Sequence, residues 1–181
     1  MVPEGGDAAS FARVALPHLD AAYSLARWLV RDPAAAEDVV QDAMVRALGY
    51  FASFRGENAR AWLLRIVRNV ALTRLEQRAR SREAPLDAGP GGAHEHLADD
   101  APDPEAAMAH SEGMSQLERM LSALSPDLRE CVVLRELEDL SYRDIARITG
   151  VPVGTVMSRL FRARQALMRL GQATGTRETT A

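Results

Sequence analysis

The chain has 181 residues, of which 47% are hydrophobic and 5% aromatic, so it can bury one modest hydrophobic core or two small ones, and we expect two. Its net charge of −3 argues against a generally basic nucleic-acid binder, and the single cysteine, Cys131, which we expect to be buried, excludes an internal disulfide. The sequence has no run approaching about 18 apolar residues and no basic segment leading into an apolar run at its N-terminus, so we expect a cytoplasmic protein.

The charge changes sign along the chain. The net charge is −2 over residues 1–55, +4 over 56–83, −7 over 84–112 and +2 over 113–181. Two basic segments separated by an acidic one suggest two nucleic-acid surfaces on a tether. Apolar residues recur at helical spacing, without a sustained valine-rich alternation. We therefore predict an all-α protein of two small helical domains joined by a flexible acidic linker.

The first predicted helical stretch follows a loose tail of residues 1–7 and extends to about Leu29, with Pro17 as a break or kink. Asp32 and Pro33 then predict the N-cap and the first residue of another helix. That helix has an acidic, outward face, which consists of Glu37, Asp38, Gln41 and Asp42. Ordinary solvation explains such a face, and docking on a basic partner is the alternative.

A loop rich in aromatic residues separates this helix from a basic one. We predict that Phe51 and Phe54 of the loop belong to the core. In the basic helix, Trp62, Arg65 and Asn69 share one face. Aromatic side chains beside arginines suit unstacked bases and their phosphates, so this face is a candidate for single-stranded DNA. Trp62 fits either that role or the core.

Residues 84–110 are rich in Pro, Gly, Ala and Asp and contain few large apolar residues. This composition predicts a flexible linker between domains of residues 8–83 and 111–171. The C-terminal domain is predicted to contain four helices, followed by a frayed polar tail after Gly171.

The last two predicted helices have the pattern of a helix-turn-helix. Ser141 followed by Asp144 is typical of a capped helix start. Gly150 tolerates positive φ, and Pro152 suits a first helical position, so one helix ends and another begins between them.

The final helix combines an apolar stripe with a basic face. The basic face carries Thr155, Ser158, Arg159, Arg162 and Gln165, and residues 155–177 include five arginines and no acid. An α-helix fits the major groove of B-DNA, where arginine can bind guanine through two hydrogen bonds. A solvated basic face is the alternative, but the helix-turn-helix spacing favours DNA.

The sequence contains no recognisable catalytic motif: it lacks a glycine-rich phosphate loop, a paired metal-ligand motif and a serine elbow. His94 and His96 fall in the linker without nearby thiols. We therefore predict no enzyme, no cofactor and no metal site.

Three segments resemble the bacterial RNA polymerase sigma factors of the extracytoplasmic-function (ECF) type of the sigma-70 family, which keep only regions 2 and 4. The segments DPAAAEDVVQDAMVRAL and FRGENARAWLLRIVRNVALTRLEQRAR resemble region 2, and LSPDLRECVVLRELEDLSYRDIARITGVPVGTVMSRLFRARQAL resembles region 4. The resemblance implies a non-enzymatic subunit that binds core RNA polymerase and directs sequence-specific promoter recognition and transcription initiation.

The resemblance also implies a role for each surface. The side chains that dock on the β′ clamp would be Glu37, Asp38, Gln41 and Asp42. The residues that contact the minus-10 element would be Arg55, Gly56, Glu57, Asn58, Arg60, Trp62, Arg65, Asn69 and Arg74. Those that contact the minus-35 element would be Thr155, Met157, Ser158, Arg159, Phe161 and Arg162.

Further partners implied by the resemblance are the β flap of the polymerase and, as in many relatives, an anti-sigma factor, which the sequence itself does not identify. In the family, the loop that captures a flipped base often has an aspartate after its glycine. Here Glu57 and Asn58 occupy this part of the loop, so the side chain that reads the base stays open.

Two other functions fit parts of the pattern. A stand-alone helix-turn-helix regulator would bind duplex DNA as a dimer at an operator with two-fold symmetry. A helical adaptor with solvated arginines would show no dependence on DNA. Neither explains why a basic, aromatic-flanked segment precedes the linker.

Overall fold

The computed structural model describes residues 5–56, 58–83 and 116–178, and within these ranges the chain is helical and has no strand. The helices are α1 (Gly5–Ala15), α2 (Leu19–Val30), α3 (Pro33–Tyr50), α4 (Ala59–Glu83), α5 (116–122), α6 (Pro126–Val132), α7 (Tyr142–Thr149) and α8 (Val153–Glu178). The predicted all-α class is confirmed. The predicted linker lies outside the described residues.

Local signals begin and end several helices where the sequence predicts. Pro17 lies in a 3-10 turn, Leu16–His18, between α1 and α2. Asp32 is the N-cap of α3, because its carboxylate accepts a hydrogen bond from the backbone N–H of Ala35 at 3.2 Å. A second 3-10 turn, Phe51–Ser53, follows α3.

Two helix ends differ from the sequence-based boundaries. Helix α1 begins at Gly5, within the predicted tail, and α8 continues to Glu178, past the Gly171 after which the sequence predicts fraying. Extending a helix that has already formed is far easier than nucleating one, so polar residues without a proline can remain helical.

The N-terminal region packs α2, α3 and α4 against one another, and α1 covers part of this group. Leu25 of α2, Val39 of α3 and Leu63 and Val67 of α4 are fully buried at its centre. Burying aliphatic side chains of this size contributes about 1.5–3 kcal/mol each relative to leaving them exposed. This packing holds α3 and α4 side by side, so their outer faces present the candidate binding residues.

The C-terminal region is built from α5 to α8, in agreement with the predicted four helices. A π-helical segment, Val133–Leu137, extends α6, and Leu134, Ile145 and Leu160 form the buried centre. Cys131 is completely buried as predicted, and burial raises the pKa of its thiol. A buried thiol of this kind is an inert, small apolar residue.

The two regions pack against each other. Helix α4 contacts α7, and α2 contacts α6, so the buried apolar side chains of both regions form one cluster. The sequence predicts two separate cores, because helical periodicity shows that a face is apolar but does not show which element covers it.

Candidate nucleic-acid interface

The acidic face of α3 is exposed, and the capping residue Asp32 holds the N-terminal end of this helix. Its four members, Glu37, Asp38, Gln41 and Asp42, all point to solvent. The pKa of Asp32 is lowered, and the largest cause is the hydrogen bond that its carboxylate accepts from the backbone N–H of Ala35. Arg78 of α4 also reaches the carboxylate of Asp32, at 3.5 Å.

Arg74 lies on this acidic face, away from the other residues of the predicted minus-10 set. Its guanidinium donates hydrogen bonds to Asp38 at 2.9 Å and to Asp42 at 3.0 Å. The two carboxylates remain 60% and 49% exposed, so a partner can still reach them. Arg74 thus holds two of the predicted polymerase-binding acids in a defined geometry.

Val45 is a member of this face that sequence reasoning missed. It follows Asp42 by three residues and Asp38 by seven, so it lies on the same side of α3, and it is 72% exposed. The signal available in the sequence was an apolar residue outside the apolar stripe of its helix. An exposed valine beside carboxylates is typical of an apolar contact point within a charged docking surface.

The loop before α4 has a backbone that depends on its residue types. Gly56 has a φ of 81°, which glycine adopts without strain. Asn58 has a φ of 34°, and its side-chain oxygen accepts a hydrogen bond from the backbone N–H of Ala61 at 3.1 Å. Asn58 therefore caps α4. Arg55 is exposed, and Glu57 lies outside the described residues.

Four aromatic rings support this loop. Phe54 lies 4.9 Å from Trp62, and Phe51 contacts Phe11 of α1 and both of these rings. Phe51 and Trp62 are partly buried and pack against the core. Phe54 is partly buried as well. Trp62 is half-buried, so it serves the core and still reaches the surface.

The outer face of α4 continues from Trp62 to Arg65 and Asn69, both of which are exposed. Residues three and four positions apart lie on the same side of a helix, so these three side chains form one surface. In the described part of the chain, Arg65 has no carboxylate partner. An aromatic ring, a free guanidinium and an amide together suit stacking and hydrogen bonding to unpaired bases.

Two other arginines of α4 are bound by the C-terminal region. Arg60 pairs with Glu138 at 2.5 Å. Arg68 donates two hydrogen bonds to Glu130, one of them at 3.2 Å. Burial is the largest influence on Glu130 and raises its pKa, while the bonds from Arg68 act in the opposite direction.

The helix-turn-helix has the predicted turn and capping residues. Ser141 accepts a hydrogen bond from the N–H of Asp144 at 3.1 Å, and its hydroxyl donates to the Asp144 carboxylate at 2.7 Å. Gly150 has a φ of 72° and ends α7. Pro152 immediately precedes α8, and its carbonyl accepts from the N–H of Val156 at 3.1 Å. The turn therefore positions the start of α8.

The outer face of α8 presents most of the predicted minus-35 residues. Met157 and Phe161 are 54% and 63% exposed. Ser158 and Arg162 are exposed and Thr155 is half-buried. Arg162 donates to the carbonyl of Ser158 at 3.3 Å and has no carboxylate partner among the described residues. This face therefore offers an exposed guanidinium, hydroxyls and apolar groups to a groove.

Arg159, three residues before Arg162, lies at the edge of this face, but its side chain turns toward α6. Its guanidinium binds Asp127 of α6 at 2.6 Å, and its side chain is only 15% exposed. In this structure Arg159 braces α8 against α6 and does not extend from the face that carries Arg162. The sequence pattern did not separate the two arginines, because both fall outside the apolar stripe.

The described ranges contain no group of three His, Cys, Asp or Glu side chains that could hold a metal ion. Nor does any helix within them have the length and apolar character needed to cross a membrane.

Two family profiles match the chain. The profile described as Sigma-70 region 2 matches residues 15–81, and that described as Sigma-70, region 4 matches residues 114–167. The RNA polymerase sigma-H factor of Pseudomonas aeruginosa is 37% identical over 167 residues, which cover 90% of this chain and 86% of that protein. The ECF RNA polymerase sigma-E factor of Escherichia coli K12 is 41% identical over 138 residues, covering 72% and 70%.

Solved structures show the same fold. The sigma factor RpoE in complex with the anti-sigma factor NepR from Bartonella quintana has a TM-score of 0.71 and 30% identity, over 90% of this chain and 97% of that one. CnrH in complex with the cytosolic domain of CnrY has a TM-score of 0.64 and 25% identity, over 90% and 88%.

Proposed function

Since the chain belongs to the ECF group of sigma-70 family sigma factors, we propose that its exposed surfaces divide promoter recognition between them. As a sigma factor it binds core RNA polymerase and directs sequence-specific promoter recognition and transcription initiation. The observation that carries the division is the position of exposed arginines, without carboxylate partners in the described ranges, on the outer faces of α4 and α8, with an acidic face on α3.

The acidic face of α3 is the proposed docking surface for the β′ clamp of the polymerase. Asp38 and Asp42 supply exposed charge, Arg74 orients them, and Val45 supplies an apolar contact. We assign Arg74 to this surface because both of its hydrogen bonds reach α3. The β flap is the proposed partner of the C-terminal region.

The proposed minus-10 surface is the loop before α4 together with the outer face of that helix. Arg55 and Gly56 form the open part of the loop, while Trp62, Arg65 and Asn69 offer stacking and hydrogen bonds to the separated strand. Unstacking a base costs a few kcal/mol, which stacking and pocket contacts offset, so strand separation requires no nucleotide hydrolysis. The protein acts by binding and not as an enzyme.

The proposed minus-35 reader is α8 in the major groove. Arg162 and Ser158 offer hydrogen bonds, and Met157 and Phe161 offer apolar contacts such as those made with thymine methyl groups. Arg159, at the edge of this face, supports the helix through its ion pair with Asp127. The domains in this proposal are residues 8–83 and 111–171, joined by residues 84–110.

The proposed site of action is the cytoplasm, where bacterial transcription takes place. An anti-sigma factor is a proposed further partner. Two structural neighbours support it, since the RpoE structure contains the anti-sigma factor NepR and the CnrH structure contains the cytosolic domain of CnrY.

The test is transcription in vitro from a library of promoter fragments, using core polymerase with and without the protein. We expect initiation at fragments sharing two sequence elements, only when both components are present. If the protein instead shifts duplex DNA without polymerase, at sites with two-fold symmetry, it is a dimeric regulator and the proposal is wrong. If the protein changes neither initiation nor DNA mobility, it is a helical adaptor and the proposal is wrong.

A further inference from the structure

A cavity with three arginines in its wall lies between α2 of the N-terminal region and α5 and α6 of the C-terminal region. Its volume is about 110 Å³, and its lining residues are Arg27, Trp28, Arg31, Glu118, Ser122 and Arg129. Three guanidiniums and one carboxylate give this lining a formal charge of three minus one, or +2. None of these residues belongs to the surfaces assigned above on α3, α4 and α8, so the proposed function leaves the cavity without a role.

Arg129 is a buried cation at this cavity, with 8% of its surface exposed. Its Nε donates a hydrogen bond to the carbonyl of Leu121 at 2.8 Å, and its Nη2 donates to those of Ser122 at 3.2 Å and Leu124 at 3.0 Å. These bonds fix the plane of the guanidinium, but the residues that the structure describes supply it with no carboxylate. Within the same ranges its Nη1 has no hydrogen bond and remains available to a ligand.

The charge on Arg129 is therefore uncompensated. Burial lowers the pKa of Arg129, and the positive charge of Arg31 lowers it further. Burying a charge without a counter-charge is costly. An anion in the cavity would remove part of this cost.

Arg31 is held beside Arg129 by an unusual backbone conformation. It is the C-cap of α2, and its φ of 61° lies in the left-handed region, where glycine is the usual residue. Its Nη2 donates a hydrogen bond to the hydroxyl of Ser122 at 2.8 Å, so the guanidinium reaches across to α5. Backbone strain of this kind persists where the surrounding structure imposes it, and it is concentrated at ligand-binding and active sites. An arginine at a glycine position thus indicates a use for its side chain.

The rest of the wall consists of an ion pair and an aromatic ring. Arg27 pairs with Glu118 at 3.1 Å, and the two side chains are 31% and 44% exposed. Water screens such a partly exposed pair, so its carboxylate cancels little of the charge on the buried Arg129. Trp28 is partly buried and packs against the core, so its ring is a fixed, flat surface. Guanidiniums beside an aromatic ring suit a phosphate that is attached to a planar base.

We propose that this cavity binds the phosphate group of a small molecule, with Arg31 and Arg129 donating hydrogen bonds to its oxygens and Arg27 adding positive charge. A phosphate group carries a charge of about −1.5 to −2 at pH 7, which balances the lining. A water molecule needs only about 10–15 Å³ of such space, so the cavity has room for a phosphate or diphosphate group. A guanidinium binds phosphate through two parallel hydrogen bonds, which makes it a specific partner. This inference goes beyond the proposed function and does not depend on it.

The test titrates the free, full-length protein with inorganic phosphate, pyrophosphate and adenosine diphosphate, in a buffer without other oxyanions. The readouts are Kd by isothermal titration calorimetry and Tm at each concentration. We expect Tm to rise with each probe, because a ligand that binds only the folded chain stabilises it. Sodium chloride at equal ionic strength controls for screening and should not reproduce the rise. If no probe raises Tm beyond the sodium chloride control, the proposal is wrong.

Three variants locate the binding. Arg31→Gly removes one guanidinium and suits the left-handed backbone, so it should fold and weaken phosphate binding about tenfold or more. The matched control is Arg119→Gln, which removes a positive charge from an exposed residue of α5 outside the cavity and should bind as wild type does. Glu118→Gln raises the charge of the lining and should tighten binding several-fold, which a purely structural role would not produce. Equal affinity in wild type and all variants would mean that phosphate binds another basic face, and would overturn the site.

The probes also distinguish the source of the phosphate. Tighter binding of adenosine diphosphate than of pyrophosphate, lost in a folded Trp28→Leu variant, assigns the cavity to a nucleotide. Equal affinities assign it to free phosphate, and either result supports the site. Polymerase and promoter are absent from this assay, so its failure leaves the sigma role to be decided by transcription in vitro.

Discussion

Replacing Arg162 with alanine separates base reading from general positive charge on α8. Arg162 is exposed, and its guanidinium donates a 3.3 Å hydrogen bond to the carbonyl of Ser158. Its loss should change the free energy of unfolding by no more than about 0.5 kcal/mol. If Arg162 binds a guanine, the specific contact is worth about 1–3 kcal/mol, which is about 5- to 150-fold in affinity.

The matched control is Arg164→Ala. Arg164 is also exposed and pairs with Glu136 at 2.7 Å, but it lies two residues further on and therefore about 200° around the helix from Arg162. Both variants lose one positive charge from the same helix. Any difference between them therefore reports position and not net charge.

The assay measures promoter binding by polymerase containing each variant, on duplexes in which every base pair of the minus-35 element is changed in turn. Arg162→Ala should lose its preference at one position, whereas Arg164→Ala should keep the wild-type preference at every position. If both variants weaken binding equally on all duplexes, Arg162 contacts phosphate at most, and the proposed reading face is wrong.

Three further predictions concern docking and stability. Asp38→Arg and, separately, Val45→Asp should weaken binding to core polymerase in a pull-down or titration, because the first reverses a charge and the second buries one; unchanged affinity for both would refute the α3 docking surface. Ser141→Ala should lower the free energy of unfolding by about 1 kcal/mol in urea denaturation, since it removes the N-cap of α7; Ser53→Ala, in an exposed turn, is the control, and equal losses would show that the cap contributes nothing. Asp32→Asn retains a capping side chain but cannot ionise. Because folding lowers the pKa of Asp32 from 3.8, the wild type should have the higher free energy of unfolding above that pH and lose this advantage as the pH falls below it. Urea midpoints of wild type and variant that keep a constant difference from pH 7 to pH 2 would contradict this.

The sequence by itself determined the features that depend on residues close together in the chain. The caps at Asp32 and Ser141, the break at Pro17 and the turn at Gly150 were all predictable, because their hydrogen bonds and dihedral angles involve residues within about four positions. Helical periodicity follows the same short range, so the fold class and the buried position of Cys131 were also predictable. The helix-turn-helix and its outer face belong to this group.

Only the tertiary structure decided which partner each long, charged side chain takes. Arg74 binds carboxylates 36 and 32 residues away, Arg159 binds one 32 residues away, and Arg68 and Arg60 bind acids 62 and 78 residues away. An arginine has several rotatable bonds and can bind any acid that packing brings near it, so spacing along the chain cannot select the partner. The contact between the two regions has the same origin, because an apolar helix face specifies that it will be covered but not by what.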